Sequence, residues 1–431
     1  MPNIANNPNK KTWLKVEDDS DFPIQNIPFG VFLTRDDVIT IGTRIGDTAI
    51  DLGALHQLGY FKGIPLTDDI FLQDTLNDFI SDGKKTWRLV RNRISEIFDH
   101  KNPDLRDNEG HKHIVLFSLD EIEMQLPVQI GDYTDFFSSK EYATNMQKLI
   151  NDAEAKILPN WLHIPIGYHG RSSSIIPSGI PIHRPVGQTM PEGASDPVFG
   201  PSESVDFELE TAFITTDANV LGEPISVNEA ENYIFGMVLF NDWSARDIQK
   251  WEYIPLGPFL SKNFAGAISP WIVTMDALEP FRVEGPAQLP KPLPYLQFKG
   301  KKSYDIHLQV DITPKGGEPV TVTESNFKYM YWNMAQQLAH HTVNGCKINS
   351  GDMMGSGTIT GPSSDSCGSM LELTWKGENP LTMKDGTTRK FINDWDTVTL
   401  RGYCKNDKVR IGFGEVSTML LPPFEKKKNK N

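Results

Sequence analysis

The sequence predicts a mainly β protein with a minor share of helix, divided into two domains. Short runs rich in β-branched and aromatic residues, such as 30–33 and 38–45, are separated by turn-forming residues. The 34 glycines and 30 prolines exceed their usual share, which favours many turns and short strands. The chain has 431 residues, which is too long for one ordinary domain. We therefore expect a mainly β architecture built as two domains.

The first domain is predicted to span residues 1–125 and the second domain residues 126–431. The elements expected in the first domain are strands at 30–33, 38–45 and 114–119, with helical spacing of apolar residues between 67 and 100. Those expected in the second domain are strands at 206–215, 234–240, 304–312, 370–375, 397–404 and 409–413, and helices at 140–156 and 326–342.

Composition and charge argue against several classes of protein. The net charge of −14 is opposite in sign to that of a typical nucleic-acid-binding protein. The longest apolar run, 234–240, is far shorter than the roughly 20 residues needed to span a bilayer, and the N-terminus lacks the apolar region of a signal peptide. The three cysteines form no CxxC pair, so neither a zinc site nor a disulfide framework is supported. We expect a soluble, cytoplasmic protein that binds neither nucleic acid nor membrane.

Acids alternate with apolar residues in the segment 205–210, which reads VDFELE. In a strand, a period of two places the acids on one face and the apolar side chains on the other. Glu208 and Glu210 would then lie about 7 Å apart along the strand, and both could bind one hard divalent cation. Alternation alone leaves a second interpretation open, in which the acids line a solvated strand face.

Other polar residues stand close to the predicted strands. Asp242 follows the apolar run 234–240, at the expected end of a buried strand. Arg246 and Gln249 come three residues apart, so a helical turn would place them on the same side. Asp135 is an acid among aromatic residues in the segment DYTDFF. Each of these residues could instead belong to a turn or a helix cap.

Longer motifs resemble the fumarylacetoacetase family of hydrolases. They appear in family order over nearly the whole chain, from about residue 22 to 422, and are much more specific than a short motif. The matching segments are DYTDF (132–136), LPNWLHIPIGYHGR (158–171), DFELE (206–210), FGMVLFNDWSARDIQ (235–249), WEYIPLGPFL (251–260), the segment 350–361 and GSMLEL (368–373).

This resemblance implies an N-terminal SH3-like barrel followed by a larger β-roll domain, in a protein that is usually a homodimer. It also implies one divalent ion, Mg²⁺ or Ca²⁺, bound by the four acids Asp135, Glu208, Glu210 and Asp242. Such an ion would bind the dicarbonyl part of a small acid substrate and act as a Lewis acid. The implied reaction is the hydrolytic C–C cleavage that ends tyrosine and phenylalanine catabolism.

The same resemblance implies roles for further residues. Arg246, Gln249 and Lys262 match groups that stabilise the oxyanion and the leaving group, a role that suits fixed hydrogen-bond donors. Glu372 matches the glutamate of a His–Glu pair that activates water. The positions implied to contact substrate are Phe137, Asn151, Tyr168, Gln249, Tyr253 and Thr358.

Three of these positions depart from the family. Tyr142 replaces the basic histidine, and a phenol with an ordinary pKa of about 10 is a poor base at neutral pH. Phe137 replaces a tyrosine and Asn151 replaces an arginine. We keep Tyr142 and Glu372 as the predicted catalytic pair.

The departures leave three functions open. The first is cleavage of fumarylacetoacetate to fumarate and acetoacetate with a modified base. The second is another metal-dependent hydrolysis, decarboxylation or hydration of a 2-oxo or 1,3-dicarbonyl acid, and the third is metal and ligand binding with impaired catalysis. Under the first, Lys140 or Lys148 could replace the lost cation, and Glu372 could activate water directly.

Overall fold

The computed structural model describes residues 2–151, 156–217 and 219–425, without the side chains of residues 150 and 151. The helix predicted at 140–156 is present over Lys140–Asn151. Positions 152–155 of that prediction lie outside the described residues, as does the side chain of Asn151.

Five strands of the N-terminal part form one antiparallel sheet in the order β4-β3-β2-β1-β5. This arrangement agrees with the predicted SH3-like barrel. Its elements are β1 (Phe29–Thr34), β2 (Ile39–Ile45), β3 (Thr48–Asp51), α1 (Leu52–Gln57), α2 (Asn77–Ser81), α3 (Gly83–Ile97), α4 (Pro103–Arg106), α5 (Glu109–Val115), β4 (Leu116–Ser118) and β5 (Ile122–Met124).

Two predictions for this region need correction. Within the range 67–100 predicted to be helical, the first helix begins at Asn77 rather than near residue 67. The strand expected at 114–119 covers only Leu116–Ser118, because the side chain of Asn108 accepts a hydrogen bond from the His111 amide and starts helix α5.

The C-terminal part is built mainly from two larger sheets that pack around a common apolar core. One sheet has eight strands, with the path β7-β6-β22-β13-β14-β16-β8 and β17 paired to β14, and the other has the order β21-β20-β25-β26-β9. The strands of the whole C-terminal part are β6 (Tyr133–Phe136), β7 (Gly167–His169), β8 (Ile175–Pro177), β9 (Ile182–His183), β10 (Val186–Thr189), β11 (Val198–Pro201), β12 (Val205–Asp206), β13 (Leu209–Thr215), β14 (Ile234–Asp242), β15 (Ser244–Ala245), β16 (Gly266–Ile268), β17 (Val273–Thr274), β18 (Arg282–Val283), β19 (Ser303–Tyr304), β20 (His307–Thr313), β21 (Val320–Asn326), β22 (Met353–Gly355), β23 (Leu381–Thr382), β24 (Thr388–Arg389), β25 (Thr397–Lys405) and β26 (Arg410–Leu421). The predicted mainly β fold class is confirmed.

Helices are fewer and shorter in this part of the chain. They are α6 (Lys140–Asn151), α7 (Arg246–Glu252), α8 (Met275–Leu278), α9 (Met334–Thr342) and α10 (Met370–Leu373). The helix predicted at 326–342 starts only at Met334, because Asn326 ends β21 and Asn333 caps the helix. No helix in the described ranges is both long and apolar enough to cross a membrane.

The strand predicted at 370–375 is wrong, since Met370–Leu373 forms helix α10. The hydroxyl of Ser369 accepts a hydrogen bond from the Glu372 amide and caps this helix. A serine followed three residues later by a glutamate is a known helix-start pattern, and it takes precedence here over the apolar run.

The single strand predicted at 206–215 is divided into β12 and β13, with Phe207 and Glu208 between them. Every residue from 205 to 210 is buried. The solvated strand face that alternation left open is therefore excluded, because the acids of this segment lie inside the protein.

An aromatic cluster joins the N-terminal sheet to the larger part. The ring of Phe235 on β14 lies 5.7 Å from that of Phe29 and 5.0 Å from that of Trp87, measured between centroids. Both sides therefore share one apolar core. The boundary between residues 125 and 126 stays a prediction.

Candidate active site

Four buried carboxylates meet where the central strands of the eight-stranded sheet lie side by side. Asp135 is on β6, Glu210 on β13 and Asp242 at the end of β14, while Glu208 lies in the break before β13. One oxygen from each lies within 4.8 Å of the others, and none of the four residues is more than 4% exposed. The structure thus brings together all four acids predicted to bind metal.

A glycine between two of these strands makes room for the carboxylates. Gly355 on β22 pairs with Asp135 of β6 on one side and with Ala212 of β13 on the other. A Cβ atom added at Gly355 would lie 2.8 Å from Asp135 Oδ1 and 3.1 Å from Glu210 Oε2. The lack of a side chain at this position leaves that space to the oxygens.

Two cations contact the cluster from the side. The Lys262 ammonium, in the loop before β16, donates to Glu208 Oε2 and Asp242 Oδ2 at 2.6 Å each. The Arg246 guanidinium, at the start of α7, lies 2.7 Å from Glu208 Oε1 and 2.8 Å from Asp206 Oδ2. Four carboxylates thus face two cations, which leaves an excess of negative charge.

The two sides of the cluster differ in their affinity for protons. Burial and the neighbouring carboxylates raise the pKa of Asp135 and of Glu210 well above the ordinary values. Burial would also raise the pKa of Glu208, but Lys262 and Arg246 together lower it to about 2. Asp135 and Glu210, on the side away from Arg246, therefore hold a proton more readily than Glu208 does.

The donor set fits a hard divalent cation. Asp135 Oδ1 and Glu210 Oε1 are buried and have no hydrogen-bond partner, which is costly for a carboxylate unless a cation lies against it. Oxygen ligands from several carboxylates are what Mg²⁺ and Ca²⁺ prefer. Among the residues that the structure describes, this is the one such group of acids, histidines or cysteines.

Tyr142 on α6 points at the carboxylate cluster. Its hydroxyl donates a 3.0 Å hydrogen bond to Glu208 Oε1, and its ring packs edge-on against Phe137 with centroids 5.4 Å apart. Burial and the negative charge of Glu208 both raise the pKa of Tyr142. The phenol is thus a donor to a carboxylate and is held protonated.

Glu372 on α10 is buried and bound by three donors. The Asn145 amide donates to Oε1 at 2.8 Å, the Ser369 hydroxyl to Oε2 at 2.9 Å, and the Thr360 hydroxyl lies within 3.1 Å of both oxygens. Burial raises the pKa of Glu372 to about 7, although these hydrogen bonds oppose the rise. A carboxyl with this pKa can exchange a proton near neutral pH.

The positions predicted to contact substrate differ in their hydrogen-bond partners and in their exposure. The Tyr168 hydroxyl donates to Asp242 Oδ2 at 3.3 Å, and Gln249 Oε1 accepts from Arg246 at 3.1 Å. The Thr358 hydroxyl is buried without a hydrogen-bond partner. Tyr253, just after α7, is 53% exposed.

Sequence reasoning did not single out three of the residues around Glu372. Asn145, Thr360 and Ser369 contact it, and Asn145 is 227 residues away in sequence. For Ser369 the spacing to Glu372 was a usable signal, since it matches a helix N-terminus. For the other two, the sequence alone carries no sign of the contact.

Both family models that match the chain belong to the same enzyme family. The model described as fumarylacetoacetase N-terminal matches residues 25–127, and the one described as fumarylacetoacetate (FAA) hydrolase C-terminal matches residues 133–419. A solved structure, the fumarylacetoacetate hydrolase from psychrophilic Exiguobacterium antarcticum, covers 92% of this chain and 99% of its own, with a TM-score of 0.51 at 16% identity. That likeness concerns the fold alone.

Curated relatives of the same length are much more similar in sequence. A fumarylacetoacetase from Dictyostelium discoideum is 50% identical over 418 residues, which is 96% of this chain and 98% of the relative. The fumarylacetoacetase from Homo sapiens is 49% identical over 415 residues, 95% of this chain and 99% of the relative. The chain therefore belongs to the fumarylacetoacetase family.

Proposed function

We propose that this chain hydrolyses fumarylacetoacetate to fumarate and acetoacetate with the help of a divalent metal ion. The observation that carries the proposal is the meeting of four buried carboxylates in a chain about half identical to curated fumarylacetoacetases. These relatives are hydrolases that act on carbon–carbon bonds. They favour this reaction over the decarboxylation, hydration or simple binding that the sequence left open.

In this proposal, Asp135, Glu208, Glu210 and Asp242 hold the metal, as Mg²⁺ or Ca²⁺. When bound, the ion acts as a Lewis acid on the dicarbonyl oxygens of the substrate. The unpartnered oxygens of Asp135 and Glu210 support the assignment, because both need a positive neighbour. Lys262 and Arg246 keep Glu208 ionised and ready to bind a cation.

Arg246, Lys262 and Gln249 are proposed to stabilise negative charge as it develops on the substrate. The Nη2 atom of Arg246 is buried and has no hydrogen-bond partner, so it can donate to a substrate oxygen. Ion pairs with Asp206 and Glu208 hold the rest of the guanidinium in place. A fixed donor of this kind is worth about 3–4 kcal/mol in a transition state.

The substrate is proposed to contact Phe137, Asn151, Tyr168, Tyr253 and Thr358, together with Gln249. The buried, unpartnered hydroxyl of Thr358 supports this set, since a ligand oxygen would give it a partner. Tyr142 and Glu372 complete the proposed site on the side where water attacks.

The wider setting rests on the family alone. We propose a cytoplasmic homodimer that acts in the last step of tyrosine and phenylalanine catabolism. Sedimentation of the purified protein tests the dimer, with twice the chain mass of 48.5 kDa as the expected result.

Product analysis tests the proposed reaction. Purified protein with Mg²⁺, and in a parallel sample with Ca²⁺, is expected to convert fumarylacetoacetate into equal amounts of fumarate and acetoacetate, and a chelator to stop it. Glu210→Gln should abolish turnover, whereas Glu318→Gln, at an exposed position, should not. Release of carbon dioxide, a hydrated product, or ligand binding without turnover would contradict the proposal.

A further inference from the structure

Asn145 lies on helix α6, which also carries Tyr142. Its side chain links this helix to the buried carboxylate of Glu372. It lies three residues after Tyr142, so the two side chains leave the helix on the same side. Tyr142 uses its hydroxyl on Glu208, while Asn145 Nδ2 donates to Glu372 Oε1 at 2.8 Å. Within the described side chains of α6, Asn145 thus supplies the hydrogen bond to Glu372.

The other two donors are fixed by their own partners. Thr360 Oγ1 accepts from the Gly368 amide at 3.0 Å, and Ser369 Oγ accepts from the Glu372 amide at 3.4 Å. Each hydroxyl therefore turns its single proton toward the carboxylate. An ionised carboxylate offers about four acceptor sites, so three donors leave one for a water molecule.

We propose that Glu372 itself takes the proton of the attacking water in this chain, and that Asn145 is a positioning residue that orients Glu372 for this step. The proposal rests on the proposed function and assigns the base that the change at Tyr142 leaves open. The hydroxyl of Tyr142 is turned to Glu208 and is not available to relay a proton to Glu372.

The step balances with groups already in the site. One water proton passes to the free lone pair of Glu372, while the water oxygen forms a bond to the carbonyl carbon and the carbonyl electron pair moves to its oxygen. That pair then re-forms the carbonyl, the carbon–carbon bond breaks, and its electron pair leaves on the acetoacetate part as an enolate. Glu372 returns its proton to the enolate carbon and is ionised again.

The surroundings of Glu372 support this assignment. Burial raises its pKa to about 7, which suits a group that must accept and return a proton near neutral pH. The titratable groups that face it are Tyr142 from α6, Asp206 from β12 and Cys367 before α10. None of these is one of the three hydrogen-bond donors to the carboxylate.

The pH profile of kcat/KM tests the proposal. Asn145→Ala removes a donor that favours the ionised carboxylate, so the acid limb should move up by about one pH unit. Asn145→Asp, which adds a charge beside Glu372, should move it further, and kcat should fall more than KM changes. Thr144→Ala is the matched control on the same helix, because its hydroxyl bonds only the Lys140 carbonyl at 2.7 Å.

A second readout does not depend on turnover. The carboxyl infrared band present in the protein but absent from Glu372→Gln reports the titration of Glu372 directly. Its midpoint should rise in Asn145→Ala and Asn145→Asp and stay unchanged in Thr144→Ala. This holds even if fumarylacetoacetate is not the substrate, so failure of the proposed function is told apart from failure of the inference.

Two results would overturn the inference. An unchanged midpoint in a folded Asn145→Ala protein, judged by its melting temperature, would show that Asn145 does not position Glu372. Full turnover by Glu372→Gln with an unchanged acid limb would show that another group takes the proton.

Discussion

At the scale of single residues, Gly355 decides how closely the carboxylates of Asp135 and Glu210 approach each other. In Gly355→Ala, the new Cβ would lie 2.8 Å from Asp135 Oδ1 and 3.1 Å from Glu210 Oε2, so the carboxylates must move apart. We expect the affinity for Mg²⁺, measured by calorimetric titration, to fall at least tenfold, a loss of about 1.4 kcal/mol.

Gly200→Ala is the matched control for this change. An added Cβ at Gly200 meets no atom within 4 Å, and its backbone does not require glycine. Equal metal affinity in Gly355→Ala and Gly200→Ala would contradict the proposal that Asp135 and Glu210 both hold the ion.

Tyr142, which the resemblance places where a basic histidine is expected, is bonded as a donor. Tyr142→Phe removes one hydrogen bond to Glu208, while Arg246 and Lys262 still pair with that carboxylate. We expect kcat to fall no more than about tenfold, because the two cations still hold Glu208 in place for turnover. The bond itself, to a charged group, contributes about 1.5–3 kcal/mol to the stability of the fold. A fall of roughly a hundredfold or more, the loss expected for a general base, would instead make Tyr142 the base.

Glu372 is expected to lower the free energy of unfolding at neutral pH. Because burial raises its pKa to about 7 from 4.5, the folded protein binds this proton more tightly than the unfolded chain between these values. Its contribution to the free energy of unfolding is then present at low pH and lost as the pH rises through 7. The free energy of unfolding of the metal-free protein, measured with urea, should therefore be compared between Glu372→Gln and the unchanged protein. From about pH 5.5 to about pH 8, the difference should move by about 2 kcal/mol in favour of Glu372→Gln.

Both proteins share every other titrating group, so the difference between them isolates Glu372. Glu318→Gln, at an exposed site, should show no such trend. A difference that stays constant across this range would mean that Glu372 titrates at its ordinary value.

At the scale of elements, Asp206 joins three parts of the site. Its carboxylate, on β12, accepts from the amides of Met370 and Leu371 at 2.7 and 3.1 Å, and from Arg246 Nε at 2.8 Å. These bonds hold the first turn of α10, and therefore Glu372, against α7.

Asp206→Asn should loosen this junction. It removes one of the two buried carboxylates that pair with Arg246. Because Glu208 remains, the loss should stay below the roughly 3–5 kcal/mol of a fully broken buried pair. Urea unfolding should show that loss of stability, and hydrogen exchange at the Met370 and Leu371 amides should quicken. Asp68→Asn, on the surface, is the control, and equal stability of the two variants would contradict the role of Asp206.

Local patterns predicted most elements but not the junctions between them. Strands at 30–33, 38–45 and 397–404 were predicted from their β-branched and aromatic runs, and the structure has strands at these places. The break at Phe207 and Glu208 could not be predicted, because distant partners replace the strand ladder. The Glu208 amide bonds Asn241 Oδ1 at 3.2 Å, and the Leu209 amide bonds the Gly368 carbonyl at 2.9 Å.

At the scale of the whole molecule, the mainly β class followed from composition and strand patterns, and the motifs in family order implied the barrel and the roll. The meeting of Asp135, Glu208, Glu210 and Asp242 in one cluster was also predicted, because their motifs are long. What stayed hidden were contacts between segments far apart in sequence, such as the rings of Phe29 and Phe235 or the amide of Asn145 on Glu372. A single sequence carries no record of such pairs.

The central claim is that this site cleaves a carbon–carbon bond with water, and labelled water tests it most directly. The protein, Mg²⁺ and fumarylacetoacetate are mixed in water enriched in the heavy isotope oxygen-18, and the masses of the products are measured by mass spectrometry. We predict one heavy oxygen in fumarate and none in acetoacetate beyond slow exchange of its ketone. A heavy atom retained in an uncleaved eight-carbon product, or unlabelled fumarate, would contradict the account.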